Sequence, residues 1–135
     1  MFSFETKIRV RYAETDKMGY VYYGNYATYF EVARVEALRS LGIHYKKMED
    51  DGIMLPVLSY SVKFFKPAFY DDELIIKLFV KELPNTRIHF YFETYNSKEE
   101  HLNNAEVVLV FVDSQKSKPQ IAPQEIIAKF QTFLK

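Results

Sequence analysis

The chain contains no cysteine, which excludes a disulfide framework, a thiol nucleophile and a thiolate metal site. A reducing setting, the cytoplasm, is the expected compartment. Neither sign of charge dominates: 18 basic and 18 acidic side chains cancel. Net charge therefore draws the chain to neither nucleic acid nor an anionic membrane, and any anionic ligand must be held by a local cluster. No apolar run approaches the length that spans a bilayer, and the N-terminal MFSFETKIRV has no apolar core ahead of its charges. Neither a membrane span nor a targeting segment is expected. No repeat, low-complexity tract or linker interrupts the sequence, and at 135 residues with 48% hydrophobic side chains a single domain over 1–135 is the expectation.

What is abundant is aromatic: 12 Phe and 11 Tyr, enough to pack a core and still line a substrate groove or a subunit interface. Residues 4–12 alternate, with Phe4, Ile8, Val10 and Tyr12 on one side and Glu5, Lys7, Arg9 and Arg11 on the other, the pattern of a strand with one wet face. From Asn25 to Leu41 the period changes. Tyr26, Tyr29, Phe30, Ala33, Ala37 and Leu41 share one helical face, and Gly42 stops the helix. Residues 44–51 suggest a short helical turn.

Four strand-like runs follow at hairpin-like spacing. Leu58, Tyr60, Val62 and Phe64 make one inward face, and Leu74, Ile76, Leu78 and Val80 the next; after the turn PNT at 84–86 come Ile88, Phe90 and Phe92. The polar NSKEEHLNN reads as a loop, and EVVLVFV, apolar on both faces, as a central strand. Pro123 opens a final amphipathic helix carrying Ile126, Ile127, Phe130, Phe133 and Leu134. A helix of about 17 residues, roughly 25 Å long, needs a sheet of similar span, so an α+β fold is expected: a curved antiparallel sheet wrapped around one central helix. One sheet leaves the helix's other face uncovered, and a second copy would cover it.

The most informative stretch is RYAETDKMGYVYYGNY, Arg11 to Tyr26. It places Asp16 in a glycine-containing loop just ahead of the long helix. A helix N-terminus offers unpaired N–H groups that polarise a carbonyl, and a carboxylate a few residues upstream can face the same substrate atom. On local chemistry alone, Thr15 and Asp16 read first as an Asx-type turn or cap.

These residues resemble the hotdog-fold thioesterases, specifically the 4-hydroxybenzoyl-CoA thioesterase-like family and its short-chain acyl-CoA branch. The resemblance spans nearly the whole chain. It rests on the Arg11–Tyr26 pattern running into YFEVARVEALR at 29–39, and on VDSQKSKPQIAPQEIIAKF from Val112 to Phe130. It implies a hotdog fold, hydrolysis of an acyl-CoA thioester without a metal or other cofactor, and a homodimer or homotetramer. It puts Asp16 at the family's catalytic carboxylate and Tyr23 where a backbone N–H polarises the thioester carbonyl. Many members of that branch carry histidine at the Tyr23 position. A tyrosine, with a reference pKa of about 10, is no base near neutral pH, whereas the backbone role does not depend on the side chain.

Around these two, Gly24, Asn25 and Tyr26 at the helix start are candidates to contact substrate, with Asn25 also a candidate helix cap. Tyr60 and Ser61 are candidates from the strand of a second copy. Lys116 and Lys118, in the family-like tail, are the first choice for the nucleotide phosphates of coenzyme A, ahead of Lys63, Lys66 and Arg87. Tyr20, Val21 and Tyr22 are expected to desolvate Asp16. Glu31 and Arg34 read as a structural pair, and His44, His89 and His101 lack metal-ligand spacing. Two other readings compete with the thioesterase. A hydratase would pair its carboxylate with a histidine, and residues 12–30 have none; a non-catalytic acyl-CoA or protein-binding module needs only the pocket.

Overall fold

A computed structural model of the chain describes residues 1–134. Strand β1 (Phe2–Arg9) is followed by a 3₁₀ turn (Tyr12–Glu14), the long helix α1 (Asn25–Ser40) and a short helix α2 (Tyr45–Asp50). Then come β2 (Ile53–Met54), β3 (Val57–Phe64), β4 (Glu73–Val80), β5 (Arg87–Tyr95), β6 (His101–Val110), β7 (Val112–Asp113), β8 (Lys118–Pro119) and α3 (Gln124–Gln131). Five strands form one antiparallel sheet in the order β1-β4-β5-β6-β3, and β2-β7-β8 form a small second one. Among the described residues no helix is long and apolar enough to cross a membrane.

The alternation in the sequence sets which face of the sheet meets α1. Leu74, Ile76, Leu78 and Val80 of β4, and Ile88, Phe90 and Phe92 of β5, are all buried, while their odd-numbered neighbours are not. From α1 the side chains of Tyr26, Tyr29, Phe30, Ala33, Ala37 and Leu38 fill the concave side, with the Phe30 ring 4.7 Å from that of Phe92. Gly42, at a φ of +80°, ends α1. The Gly42 N–H meets the Arg39 carbonyl and the Ile43 N–H that of Leu38, a left-handed finish that only glycine adopts without strain.

Several expectations need correction. The strand β3 does not hairpin with β4; it crosses to the far edge and pairs with β6. At that edge its inward-facing side chains are only partly covered: Tyr60 and Phe64 pack toward Phe30 and Tyr26 of α1 yet keep 41% and 49% of their surface, and Leu58 keeps 52%. The supposed polar loop is shorter, because β6 already begins at His101, and Asn103 points inward, fully buried. The first strand ends at Arg9, so Tyr12 falls in the 3₁₀ turn and is 77% exposed. Nor is α1 left bare by its own sheet. Of its apolar residues only Ala27 and Val32 are exposed, and the larger uncovered apolar surface lies along β3 instead.

Glu14 joins the N-terminal elements. Its side chain, 11% exposed, accepts the Arg11 N–H at 2.9 Å, the Arg11 guanidinium at 2.8 Å and the Tyr29 hydroxyl of α1 at 2.9 Å. Its carbonyl accepts the Tyr22 N–H at 2.9 Å and the Asn25 side-chain amide at 2.8 Å. Burial alone would raise the Glu14 pKa; the hydrogen bonds from Arg11 and Tyr29 more than offset it and hold the carboxyl below its ordinary range. A depressed folded value means stability that is present above the unfolded pKa of about 4.3 and lost as pH falls through the folded one. Glu14→Gln should therefore cost about 1–3 kcal/mol at pH 7, the worth of hydrogen bonds to a buried charged group. The gap to the unaltered protein should narrow as pH falls below about 4.3, where the unfolded chain's carboxyl protonates, and close as the folded carboxyl protonates at lower pH. Urea denaturation at a series of pH values checks this, and a gap constant with pH would show that Glu14 acts by shape alone.

Candidate active site

Between Glu14 and α1 the chain makes a loop whose ends are tied by a bridge from Thr15 to Val21. Asp16 sits at its start. One carboxylate oxygen, Oδ1, accepts the N–H of Met18 at 2.9 Å and that of Tyr20 at 3.2 Å, and the Asp16 carbonyl accepts the Gly19 N–H at 3.0 Å. Gly19 makes this reversal at a φ of +83°. The Asx turn and the candidate catalytic group are thus one structure: the turn holds Oδ1, and Oδ2 has no partner among the described residues.

The loop borders a cavity of about 300 Å³. Asp16, Tyr20, Val21 and Tyr23 form one wall, Tyr26 another, and the end of β3 with the segment after it, from Phe64 to Ala68, closes it. A bridge from Tyr20 to Phe69 and an edge-on contact of their rings at 5.4 Å hold the two walls together. Tyr22, expected to desolvate Asp16, turns away and packs on Tyr23 at 4.6 Å. That contact explains Gly24, since a Cβ there would come within 2.7 Å of the Tyr22 ring.

Tyr23 exposes 66% of its surface, and its side chain touches solvent more than cavity. Its backbone is the more telling part. The N–H groups of Tyr23 and Gly24, at the start of α1, have no acceptor among the described residues, whereas those of Tyr22, Asn25 and Tyr26 are bonded at 2.9, 2.9 and 3.2 Å. Unpaired amides at a helix start are the groups that stabilise charge on an incoming oxygen. Asn25 is the first residue of α1 rather than its cap, and its side-chain amide donates to the Glu14 carbonyl. Tyr26 is 2% exposed. Burial pushes its phenol up to about 12, with the Asn103 side chain acting in the opposite sense.

The other sequence candidates lie elsewhere. Tyr60, whose phenol burial raises, leans toward Phe30 with ring centres 6.3 Å apart, and Ser61 is exposed on the opposite face of β3; neither reaches the cavity of its own chain. Lys116 and Lys118 lie in and beside the turn joining β7 to β8. The Lys116 N–H is bonded to Asp113, and that small sheet meets Gly52 just after α2, at the opposite end of α1 from Asp16. Within one chain they do not meet the cavity. Lys66 does, while ion-paired to Glu100 at 2.7 Å. Glu31 and Arg34 form no ion pair among the described residues; Arg39 pairs with Glu36 instead, at 2.8 Å. His89 and His101 stack on Tyr91 and Tyr95, and no cluster of metal-ligating side chains occurs among the described residues. Glu14 was missed by sequence reasoning, although Arg11 three residues before it is the signal of a local pair.

Known proteins share this architecture. A model of the thioesterase-like superfamily matches residues 10–130. The acyl-CoA thioester hydrolase YbgC of Escherichia coli is 33% identical over 128 residues, covering 95% of this chain and 96% of the relative. The crystal structure of a DHNA-CoA thioesterase from Staphylococcus aureus is 36% identical with a TM-score of 0.91, over 98% of this chain and 93% of the other. A 1,4-dihydroxy-2-naphthoyl-CoA thioesterase from Synechocystis reaches a TM-score of 0.91 at 22% identity over 98% of each chain, a likeness that speaks for the fold alone. With the match running from the end of β1 into α3 and including the whole Asp16 loop, the chain belongs to the thioesterase-like superfamily and has the hotdog fold.

Proposed function

We propose that the chain hydrolyses an acyl-CoA thioester, with Asp16 and the Tyr23 amide as its working groups. One observation carries this reading: Asp16, with one carboxylate oxygen unengaged, and Tyr23, whose helix-start N–H has no acceptor among the described residues, line one 300 Å³ cavity. The name of the E. coli relative, an acyl-CoA thioester hydrolase, supports the substrate class.

The chemistry follows from those parts. As the thioester carbonyl is attacked its oxygen gains negative charge, and the N–H groups of Tyr23 and Gly24 stabilise it, an oxyanion donor being worth about 3–4 kcal/mol. Asp16 Oδ2 takes the proton of an attacking water and passes it to the departing thiolate, or itself attacks to give a mixed anhydride that water then cleaves. Both routes use the oxygen that the Asx turn leaves free. In both, the C–S bond breaks and the products are the acid and the thiol.

Assembly belongs to the same reading. The edge strand β3 carries unpaired backbone groups and exposed Val57, Leu58, Tyr60 and Phe64, the kind of edge that pairs with another chain. A second copy joined there would cover this surface and bring its Tyr60 and Ser61 toward the first copy's site.

Three outcomes test the proposal. Asp16→Asn should retain the fold and lower hydrolysis by at least about a hundredfold, read as free-thiol release from a panel of acyl-CoA esters; turnover near that of the unaltered protein would remove Asp16 from the mechanism. Tyr23→Phe keeps the main-chain N–H, so its loss should stay below about tenfold, or roughly 1.4 kcal/mol. A defect matching that of Asp16→Asn would assign chemistry to the hydroxyl. Light scattering at micromolar concentration should give at least twice the chain mass, and a fully active monomer would contradict the shared site.

A further inference from the structure

The backbone carbonyl of Glu14 carries two hydrogen bonds that converge on the start of α1. It accepts the Tyr22 N–H at 2.9 Å and the Asn25 side-chain amide at 2.8 Å. A carbonyl oxygen has two lone pairs, so this one is saturated. Only the NH2 end of the Asn25 amide can face it, because the oxygen end would meet it as a second acceptor. Between these two donors in the chain lie Tyr23 and Gly24, the residues whose N–H groups have no acceptor among the described residues.

This is the reverse of a helix cap. A capping side chain sits ahead of the helix and accepts its free N–H groups, whereas Asn25 is already in α1 and donates back to the preceding segment. Nor does Asn25 border the cavity that Asp16 and Tyr23 line. What it joins are the two halves of the site. Glu14 stands two residues before Asp16, and Asn25 two residues after Tyr23. The same Glu14 accepts the Tyr29 hydroxyl at 2.9 Å, so it grips α1 at Asn25 and again one turn later, on one face of the helix.

We infer that Asn25 is a positioning residue for the proposed hydrolysis: its amide ties the start of α1 to the segment carrying Asp16 and fills the second lone pair of the Glu14 carbonyl, so that the Tyr23 N–H stays free for the substrate oxygen. Without that amide the vacated lone pair faces the next N–H after that of Tyr22, which is that of Tyr23, and helix-start amides lack partners of their own within the helix. An oxyanion donor bonded to the protein is lost to the transition state, and a donor displaced by about 1 Å costs about a hundredfold.

The inference rests on the thioesterase reading, and its test has one readout with turnover and one without. Asn25→Ala should lower kcat about 10- to 100-fold while KM changes less than about threefold, the mark of an interaction made in the transition state alone. Amide exchange followed by NMR needs no substrate. In the unaltered protein the Tyr23 and Gly24 N–H groups should exchange fast and that of Tyr22 slowly; in Asn25→Ala either Tyr23 gains protection or Tyr22 loses it. Asn25→Asp is nearly isosteric, and its carboxylate is favoured in the first turn of a helix, so it gives the exchange readout if the alanine variant does not fold. An unaltered protein that releases no thiol from any acyl-CoA sinks the thioesterase reading, and amide exchange then decides the role of Asn25. Unchanged exchange at both Tyr22 and Tyr23, a kcat within about twofold of the unaltered protein, or a loss carried by KM each overturns the inference, the last by returning Asn25 to direct contact with substrate.

Discussion

The carboxylate of Glu14 is the constraint on which the rest of the site depends. It is a charge taken out of water, and such a charge is tolerated only when it is paired and hydrogen-bonded. The partners it requires are Arg11, just before the 3₁₀ turn, and Tyr29, one turn into α1, while the backbone carbonyl of the same residue holds Tyr22 and Asn25 at the helix start. Satisfying one buried group therefore fixes the height and direction of α1 against the sheet. Asp16, two residues further on, inherits that placement, and so does the pair of unbonded amides at Tyr23 and Gly24.

Packing and chemistry divide the molecule along α1. Toward its C-terminal half, Ala33, Ala37 and Leu38 lie close on the sheet with nothing polar between. Toward the N-terminal half the rings grow larger, from Phe30 to Tyr29 and Tyr26, and polar atoms enter the interior at Glu14, Thr94 and Asn103.

Much of this was legible in the sequence because it depends on local periodicity. Helix α1, with its six-membered inward face nearly correct, and strands β4 and β5 follow from spacing of apolar residues alone, and the Asp16 loop follows from residue chemistry at a helix start. What could not be read was non-local. The spacing between Phe64 and Glu73 suits a hairpin, but β3 is drawn to β6 nearly forty residues away, since β4 already has β1 on its other side. The start of β6 was hidden for a different reason: inward Asn103 breaks the apolar alternation, and a polar residue buried in the interior looks like a loop residue in one dimension. Glu14 was hidden because its deciding partner, Tyr29, lies fifteen residues on. Lys116 and Lys118 were chosen for their place in a motif, and a motif does not reveal that two ends of a helix separate it from the carboxylate.

The pairing list also bears on how the protein is made. No strand in the first 72 residues pairs with another strand in that stretch: β1 waits for β4, β2 for β7 and β3 for β6. The hairpins of β4, β5 and β6 are the local contacts, and the loop-closure entropy of the longer-range pairs is recovered only once these exist. As the chain leaves the ribosome, α1 and all of the Asp16 loop therefore emerge with no sheet to lie on. The N-terminal half has no strand to pair with until β4 ends at residue 80, and β3 has none until β6 ends at residue 110, so its aromatic-rich segments are the ones left open to chaperones or to misassociation in the interval.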